Sequence, residues 1–223
     1  MFRVMVVDIG GNNVKMQLSD GEERRKFTSG PTLTPQNMVD QVKAVTADWS
    51  FDRVTLGYPG PVQNNRIAKE PANLGPGWLD FDFTAAFDQP VQLVNDAAMQ
   101  AFGSYDGGKM LFLGLGTGLG ATLVTNNVIL PLEVAHMPYK GSMSFEDFVG
   151  KRGYERLGKK LWRNEVITVA EILRAAFVAD YVLFGGGNAK RLKNLPDWCR
   201  IGANTNAFKG GADIWSNADL RIL

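Results

Sequence analysis

"VVDIGGNNVKMQL", residues 6–18, decides how the rest of the chain is read. Val6 and Val7 run into Asp8, two glycines and two asparagines follow, and the apolar positions resume as Val14, Met16 and Leu18. Alternation at a period of two predicts a pair of strands, and Gly and Asn at their junction supply the positive φ angles that a tight turn needs. The same residues also suit an anion cradle, with backbone N–H groups and Asn amides aimed at a phosphate and Asp8 holding its metal. Taken alone, the segment leaves both readings open.

A stretch of the same design opens the second half of the chain. "MLFLGLGTGLGATLVTNNVIL", residues 110–130, reads as strand, glycine turn, strand, Asn-Asn turn, strand. Residues Gly116 to Ala121 satisfy the spacing of a dinucleotide fingerprint, but that fingerprint requires a helix straight after the turn. The β-branched, alternating "TLVTNNVIL" that follows is a strand, so the Rossmann reading fails. The P-loop spacing G-x-x-x-x-G-K-[ST] is absent from the sequence. What remains is a hairpin whose glycines admit phosphate oxygens to backbone N–H groups, with the Thr117 hydroxyl as a further donor, or a glycine hairpin without a ligand.

Bulk properties narrow the classes. The 223 residues suffice for one large domain or two small ones, with 45% hydrophobic and 21% charged residues. A net charge of +1 gives no reason to expect a nucleic-acid partner. One cysteine, Cys199, and one histidine, His136, exclude an intrachain disulfide and a tetrahedral zinc site without carboxylates. No apolar run approaches the roughly 20 residues needed to span a bilayer, so no membrane partner is expected. With no charged leader before the first strand, the expected location is cytoplasmic.

The remaining elements follow from pattern. Residues 2–8 and 14–18 read as paired strands, with "SDGEERRKF" a polar turn into a third strand or edge. A helix begins at Pro35, capped by Thr34, with Met38, Val42, Val45 and Trp49 on one face. "RVTLGYPGPV" is a strand running into a shaped Pro/Gly loop. Residues 63–90 read as a long functional loop with a short helix near Phe83–Phe87. "PVQLVND" is a strand and "AAMQAFGSY" the helix after it. Residues 144–163 read as helical and basic, and 165–180 as an amphipathic helix through Val169, Ile172, Leu173, Ala176 and Phe177. "DYVLFGGGNAKRL" is a strand, a triple-glycine turn and a helix start, and "NTNAFKGGADIW" a turn into a short terminal helix. Asn95 and Asp96, between strand and helix, are a natural helix cap as well as a candidate site.

Two glycine hairpins, each opening half of the chain, resemble the phosphate loops of the actin-like ATPase and sugar kinase superfamily. At residue level the sequence resembles the ROK (repressor, open reading frame, kinase) family, in its polyphosphate-glucokinase and glucokinase branch. The resemblance is carried by "DIGGNNVK" (8–15), "GYPGPV" (57–62), "PANLGPGW" (71–78), "NDAAMQAFG" (95–103), "GLGTGLGATLV" (114–124), "LEVAHMP" (132–138), "FEDFVG" (145–150) and "LFGGGNAK" (183–190), in order along nearly the whole chain. It implies a two-lobed α/β fold of the actin-like ATPase (ribonuclease H-like) type with a cleft between lobes, residues 1–107 forming one lobe and 108–223 the other. It implies a hexose kinase using ATP or polyphosphate with Mg²⁺, and a homodimer.

By that resemblance Asp96 is the catalytic base that accepts the proton of the sugar 6-hydroxyl. A carboxylate suits a loose transition state in which the nucleophile develops little charge early. Asn73, Asn95, Glu133, His136 and Glu146 would bind the sugar hydroxyls, which both donate and accept. Glu133 and His136 are spaced i, i+3, which puts them on one side of a helical turn. Asp8 would organise Mg²⁺ through water, Gly10, Gly11, Asn12, Gly116, Thr117 and Gly118 would cradle phosphates, and Gly185, Gly186 and Gly187 would pass close to the adenosine.

Departures from the family pattern set the rivals. "MPYKGSMSF" holds no cysteine where most members carry a zinc segment, so zinc is not expected. Asn12 replaces the usual Thr or Ser, Ala135 replaces the usual Gly, and the interval 158–168 is short for the second lobe. No DNA-binding helix-turn-helix precedes the first strand, which argues against the repressor branch. Residues 140–163 hold seven Lys or Arg against three Asp or Glu, a solvated helix face or a guide for polyphosphate. The rivals are a hexose-binding protein whose donor side has decayed, and an actin-like interaction protein that keeps the glycines for hairpin geometry alone.

Overall fold

The computed structural model describes residues 2–203 and 205–223. Its first half runs β1 (Val4–Ile9), β2 (Asn13–Leu18), β3 (Arg24–Thr28), α1 (Pro35–Val45), β4 (Arg53–Tyr58), β5 (Val62–Gln63), β6 (Arg66–Ile67), α2 (Phe83–Phe87), β7 (Val91–Asn95) and α3 (Asp96–Ser104). The second half runs β8 (Met110–Leu115), β9 (Leu119–Thr125), β10 (Val128–Leu132), β11 (Pro138–Lys140), β12 (Met143–Ser144), α4 (Phe145–Val149), α5 (Lys151–Ala176), β13 (Tyr181–Gly185), β14 (Cys199–Ile201), α6 (Asn206–Asp213) and β15 (Arg221–Ile222).

Two sheets repeat one plan. The first has the order β3-β2-β1-β4-β7, and the second β14-β13-β8-β9-β10-β15. In each, a three-stranded antiparallel meander is extended by two parallel strands beside its first strand: β4 and β7 beside β1, β13 and β14 beside β8. The strand–glycine turn–strand repeat in the sequence is therefore the start of two related sheets. Asn126 and Asn127 take φ of 39° and 63°, as the Asn-Asn turn between β9 and β10 requires.

Three apolar layers hold the sheets. α1 covers one face of the first sheet through Met38, Val39 and Val42, and α5 covers one face of the second through Trp162, Val166, Val169 and Leu173. Between the sheets lies a shared core of Val4, Val6, Met110 and Phe112 with α3 and α6 inside it. Those two helices cross backbone to backbone. A Cβ on Gly103 would lie 1.9 Å from the Asn206 carbonyl, and one on Gly210 would lie 2.0 Å from that of Met99. Thr55 Oγ1 donates to the Gly211 carbonyl at 2.7 Å and accepts from Trp215 Nε1 at 2.9 Å, tying α6 to β4.

Several expectations shift. The break placed between 163 and 165 is not there, because the buried face from Trp162 to Leu173 continues without interruption. Instead α5 kinks at Gly158, whose φ of 71° and ψ of 167° are non-helical, and α4 ends at Val149 with Gly150 as the cap. Ile172 is 43% exposed, so it belongs to the outer face and not to the buried stripe. The helix start after "GGGNAKRL" stops as a single 3₁₀ turn at Ala189–Arg191, because Asn194 takes φ of 53° and Pro196 follows. Residues 62–67 form a small hairpin inside what reads as loop, turned by Asn64 and Asn65 at φ of 50° and 59°. Asn204, the first residue of the turn expected before α6, lies outside the described residues. Among the described residues no helix is long and apolar enough to cross a membrane.

Candidate active site

The site is built where parallel strands end. Asp8, Gly57 and Val94 are neighbours across β1, β4 and β7, so Asp8 at the end of β1 and Asp96 just past β7 share one edge of the first sheet. Asn95 caps α3: its side-chain oxygen accepts the Ala98 N–H at 3.1 Å, and its amide donates to the Gly60 carbonyl at 3.1 Å. Asp96 is the first helical residue, and its carboxylate accepts the Ala97 N–H at 2.7 Å. Ala97 is pressed on β9, where a Cβ on Gly120 would fall 2.9 Å from its own Cβ. Asp96 therefore stands between the two glycine hairpins.

Its electrostatics follow from that position. Although a fraction of its surface stays open to water, Asp96 is packed about by protein, and burial lifts its carboxyl pKa. The negative charge of Asp8 raises it further, the Ala97 N–H opposes the rise, and Glu133 adds a smaller push, leaving it at about 7. A base poised there fits proton transfer from an alcohol at neutral pH.

The first hairpin is held by its own strands. Gly10 N–H donates to the Asn13 carbonyl at 3.0 Å, Ser29 N–H to the Asn12 carbonyl at 3.1 Å, and the Ser29 hydroxyl to the Gly10 carbonyl. Asn12 is exposed at the tip. Gly11 faces the loop carrying Asn73, whose Cβ lies 3.4 Å from the place a Gly11 Cβ would take. Lys15 Nζ is 3.2 Å from Asp8, its partner across the β1–β2 ladder.

The second hairpin is held by distant parts of the chain. Leu119 N–H donates to the Glu146 carboxylate at 3.2 Å, and Lys151 N–H, opening α5, to the Thr117 carbonyl at 3.1 Å. Asn188 donates twice, from its backbone to the Leu115 carbonyl and from its side chain to the Gly116 carbonyl, both at 2.9 Å. A Cβ on Gly118 would meet Glu146 Oε2 at 2.2 Å, whereas Gly116 faces open space and Thr117 is exposed. Of the triple glycine, Gly186 and Gly187 line a cavity of about 220 Å³ with Lys190 and Ile201. Gly185 instead packs inward, where a Cβ would strike Phe112 at 2.4 Å. Gly186 has φ of 79° and no room for a Cβ, the Leu115 carbonyl being 2.6 Å away.

Glu133 and His136 are exposed; His136 sits in a reverse turn closed by the Met137 N–H to the Val134 carbonyl, and Glu133 just precedes that turn, so the two do not share a helical turn. The residues between β10 and β11 are taken up by that turn, which reverses the chain directly into β11. Glu146 N–H donates to the Ala135 carbonyl at 2.9 Å, which brings that turn and α4 together. A larger cavity, about 420 Å³, is lined by Asn65, Ile67, Trp78, Phe83, Val91 and Leu93 and includes none of these residues.

Sequence reasoning missed three participants. Lys15 was accessible from the register of the first hairpin, since an Asp8–Lys15 pair follows once the turn is placed. Asn188 carried the weaker signal of an amide directly after a glycine turn. Glu70 carried none, because its carboxylate binds the N–H groups of Gly77, Trp78 and Leu79, seven to nine residues along an irregular loop.

The two related sheets with a shared helical core define the α/β fold of the actin-like ATPases. Within that class the chain belongs to the ROK family, whose pattern matches residues 4–131. The polyphosphate glucokinase of Mycobacterium leprae (strain TN) is 24% identical over 96% of this chain and 74% of its own length. That of Mycobacterium tuberculosis H37Rv is 24% identical over 83% and 77%. Among solved structures, the inorganic polyphosphate/ATP-glucomannokinase from Arthrobacter sp. strain KM superposes with a TM-score of 0.80 at 24% identity, covering 96% of this chain and 98% of that one. The ROK family glucokinase from Streptomyces griseus, solved with glucose and AMPPNP, gives 0.71 at 17% identity over 95% and 98%.

Proposed function

We propose that the protein is a hexose kinase, moving a phosphoryl group from ATP or polyphosphate to the 6-hydroxyl of glucose or a related hexose. The observation that carries this reading is Asp96: a carboxyl raised to about 7, near enough to Asp8 beside the first hairpin to feel its charge, and followed by Ala97, which packs on Gly120 beside the second. In the ionised form it takes the hydroxyl proton as the oxygen attacks the terminal phosphoryl group. Asn73, Glu133, His136 and Glu146 hold the sugar, and Asn95 helps through the hydrogen-bonding capacity its capping role leaves. Gly10, Gly11, Asn12, Gly116, Thr117 and Gly118 hold the donor phosphates. Gly186 and Gly187 border the cavity for an adenosine, and the lobes at 1–107 and 108–223 meet across the substrates. The names of the relatives, glucokinases and a glucomannokinase using polyphosphate or ATP, support the same reading.

Mg²⁺ fits the residues present. Among the described residues no group of three or more His, Cys, Asp or Glu side chains could cage a metal ion. Mg²⁺ prefers one or two carboxylates together with substrate phosphates and water, and Asp8 at the first hairpin offers one. Bound there, it would neutralise charge on the transferring phosphates.

A coupled assay of glucose, mannose, fructose and N-acetyl sugars against ATP and polyphosphate, with Mg²⁺, tests the proposal. Sugar 6-phosphate from at least one pair is expected. Thermal protection by glucose without any phosphorylated product would instead indicate a hexose-binding protein.

A further inference from the structure

We propose that Glu70 is the positioning residue of the sugar-contacting loop, holding Asn73 in place against the first phosphate hairpin; this rests on the reading of Asn73 as a hexose contact. Residues 69–79 form an irregular loop rich in Pro and Gly. Glu70 Oε1 accepts the N–H groups of Gly77, Trp78 and Leu79 at 3.2, 3.1 and 3.2 Å, and Oε2 shares that of Trp78 at 3.3 Å. Three consecutive N–H groups converging on one anion form a nest, and here the anion comes from the chain itself. Bonds to a charged acceptor are stronger than neutral ones, so this clasp closes the loop firmly.

The surroundings fix what the clasp does not. The Tyr58 hydroxyl donates to the Lys69 carbonyl at 2.9 Å, Trp78 Nε1 to the Gly75 carbonyl at 2.7 Å, and Gly75 N–H to the Leu33 carbonyl at 3.0 Å. Trp78 is wholly buried against Tyr58, with ring centroids 5.6 Å apart. These contacts anchor the start of the loop, its middle and the indole, while Glu70 joins the start to the end. Asn73, exposed in the span between, is thereby held where a Cβ on Gly11 would meet its own Cβ at 3.4 Å. An amide read as a hexose contact thus has a preset place beside the hairpin, so binding does not have to order it first.

The test compares Glu70→Ala and Glu70→Gln with the unmodified protein. Hydrogen exchange of peptides covering 70–79 and 10–13 should be faster in both segments for Glu70→Ala. In steady state with ATP, polyphosphate and Mg²⁺, its KM for glucose should rise about tenfold or more with kcat changed by less than about threefold, the mark of lost binding interactions. Glu70→Gln keeps one acceptor oxygen and should fall between. The proposal is overturned if exchange at 10–13 is unchanged in Glu70→Ala, or if kcat falls while KM stays. If the unmodified protein phosphorylates no hexose, the kinase reading fails by itself, and the exchange at 10–13 still decides the role of Glu70.

Discussion

The two glycine hairpins have the same place in their sheets and opposite means of support. The first is closed by bonds among its own neighbouring strands, through Gly10, Asn13 and Ser29. The second is tied to α4 by Glu146, to the start of α5 by Lys151 and to the third glycine turn by Asn188. One duplicated element has thus become a locally determined turn in one half and a junction of three remote segments in the other. On the proposed reading, a substitution in the second should therefore spread to the residues assigned to sugar and adenosine, while one in the first should stay with those assigned to the phosphates and with Asn73.

Asp96, standing between the hairpins, gives the largest expected effect. Asp96→Asn should lower kcat by about 10²–10⁴ with little change in hexose KM, as loss of a general base does. For the unmodified enzyme, rate should fall as pH drops below about 7, where the carboxyl becomes protonated. Stability should show the opposite trend. The folded-state pKa is raised above the ordinary value of 3.8, so this group's contribution is fully present below pH 4 and is lost progressively as pH rises to about 7. Asp96→Asn should be no more stable than the unmodified protein near pH 4, and more stable above pH 7 by up to about 4 kcal/mol, by denaturant melts at several pH values.

The comparison between hairpins is sharpened next by Gly186→Ala and Gly118→Ala. At Gly186 both a positive φ and the Leu115 carbonyl oppose a side chain, so a loss of about 1–3 kcal/mol is expected by thermal melting. At Gly118 the obstacle is the movable end of Glu146. Gly118→Ala should push that carboxylate away from the Leu119 N–H and raise hexose KM about tenfold, with the melting point nearly kept. Gly11→Ala, meeting Asn73 only at ordinary contact distance, should cost less than either. If Gly11→Ala proved the most damaging, the contrast between local and remote support would be wrong. The smallest effect belongs to Asn12→Thr at an exposed tip: a change in donor KM within about threefold, because one side-chain donor replaces another.

Much of the fold was legible, for identifiable reasons. β1, β2, α1 and β7 follow from alternation or from a helical stripe with Thr34 and Pro35 at its start, signals that act within a few residues. α2 falls at Phe83–Phe87 as the pattern implies. The kink in α5 was not legible, because a glycine inside a periodic helix is compatible with continuing or breaking, and only packing on the second sheet selects. β14 and β15 are only three and two residues long, too short for a periodic signal, and β15 pairs with the distant β10. In the site, Asp8, Asp96 and the glycines stood out by type and position. Glu146 against Gly118, Asn188 across Gly116 and Glu70 beneath Trp78 did not, since each contact joins segments with no common periodicity.

The sequence by itself determined two repeated hairpins, a carboxylate at a strand-to-helix boundary and membership of an α/β class, because turn chemistry and periodicity depend on neighbours in the chain. The tertiary structure alone decided that Asp96 lies between those hairpins, that its carboxyl rises to about 7, and that Gly185 serves packing while Gly186 and Gly187 face a cavity. Burial, like-charge proximity and the space denied to a Cβ are properties of atoms brought together from distant positions, and they exist only once the sheets and their shared helices have closed on one another.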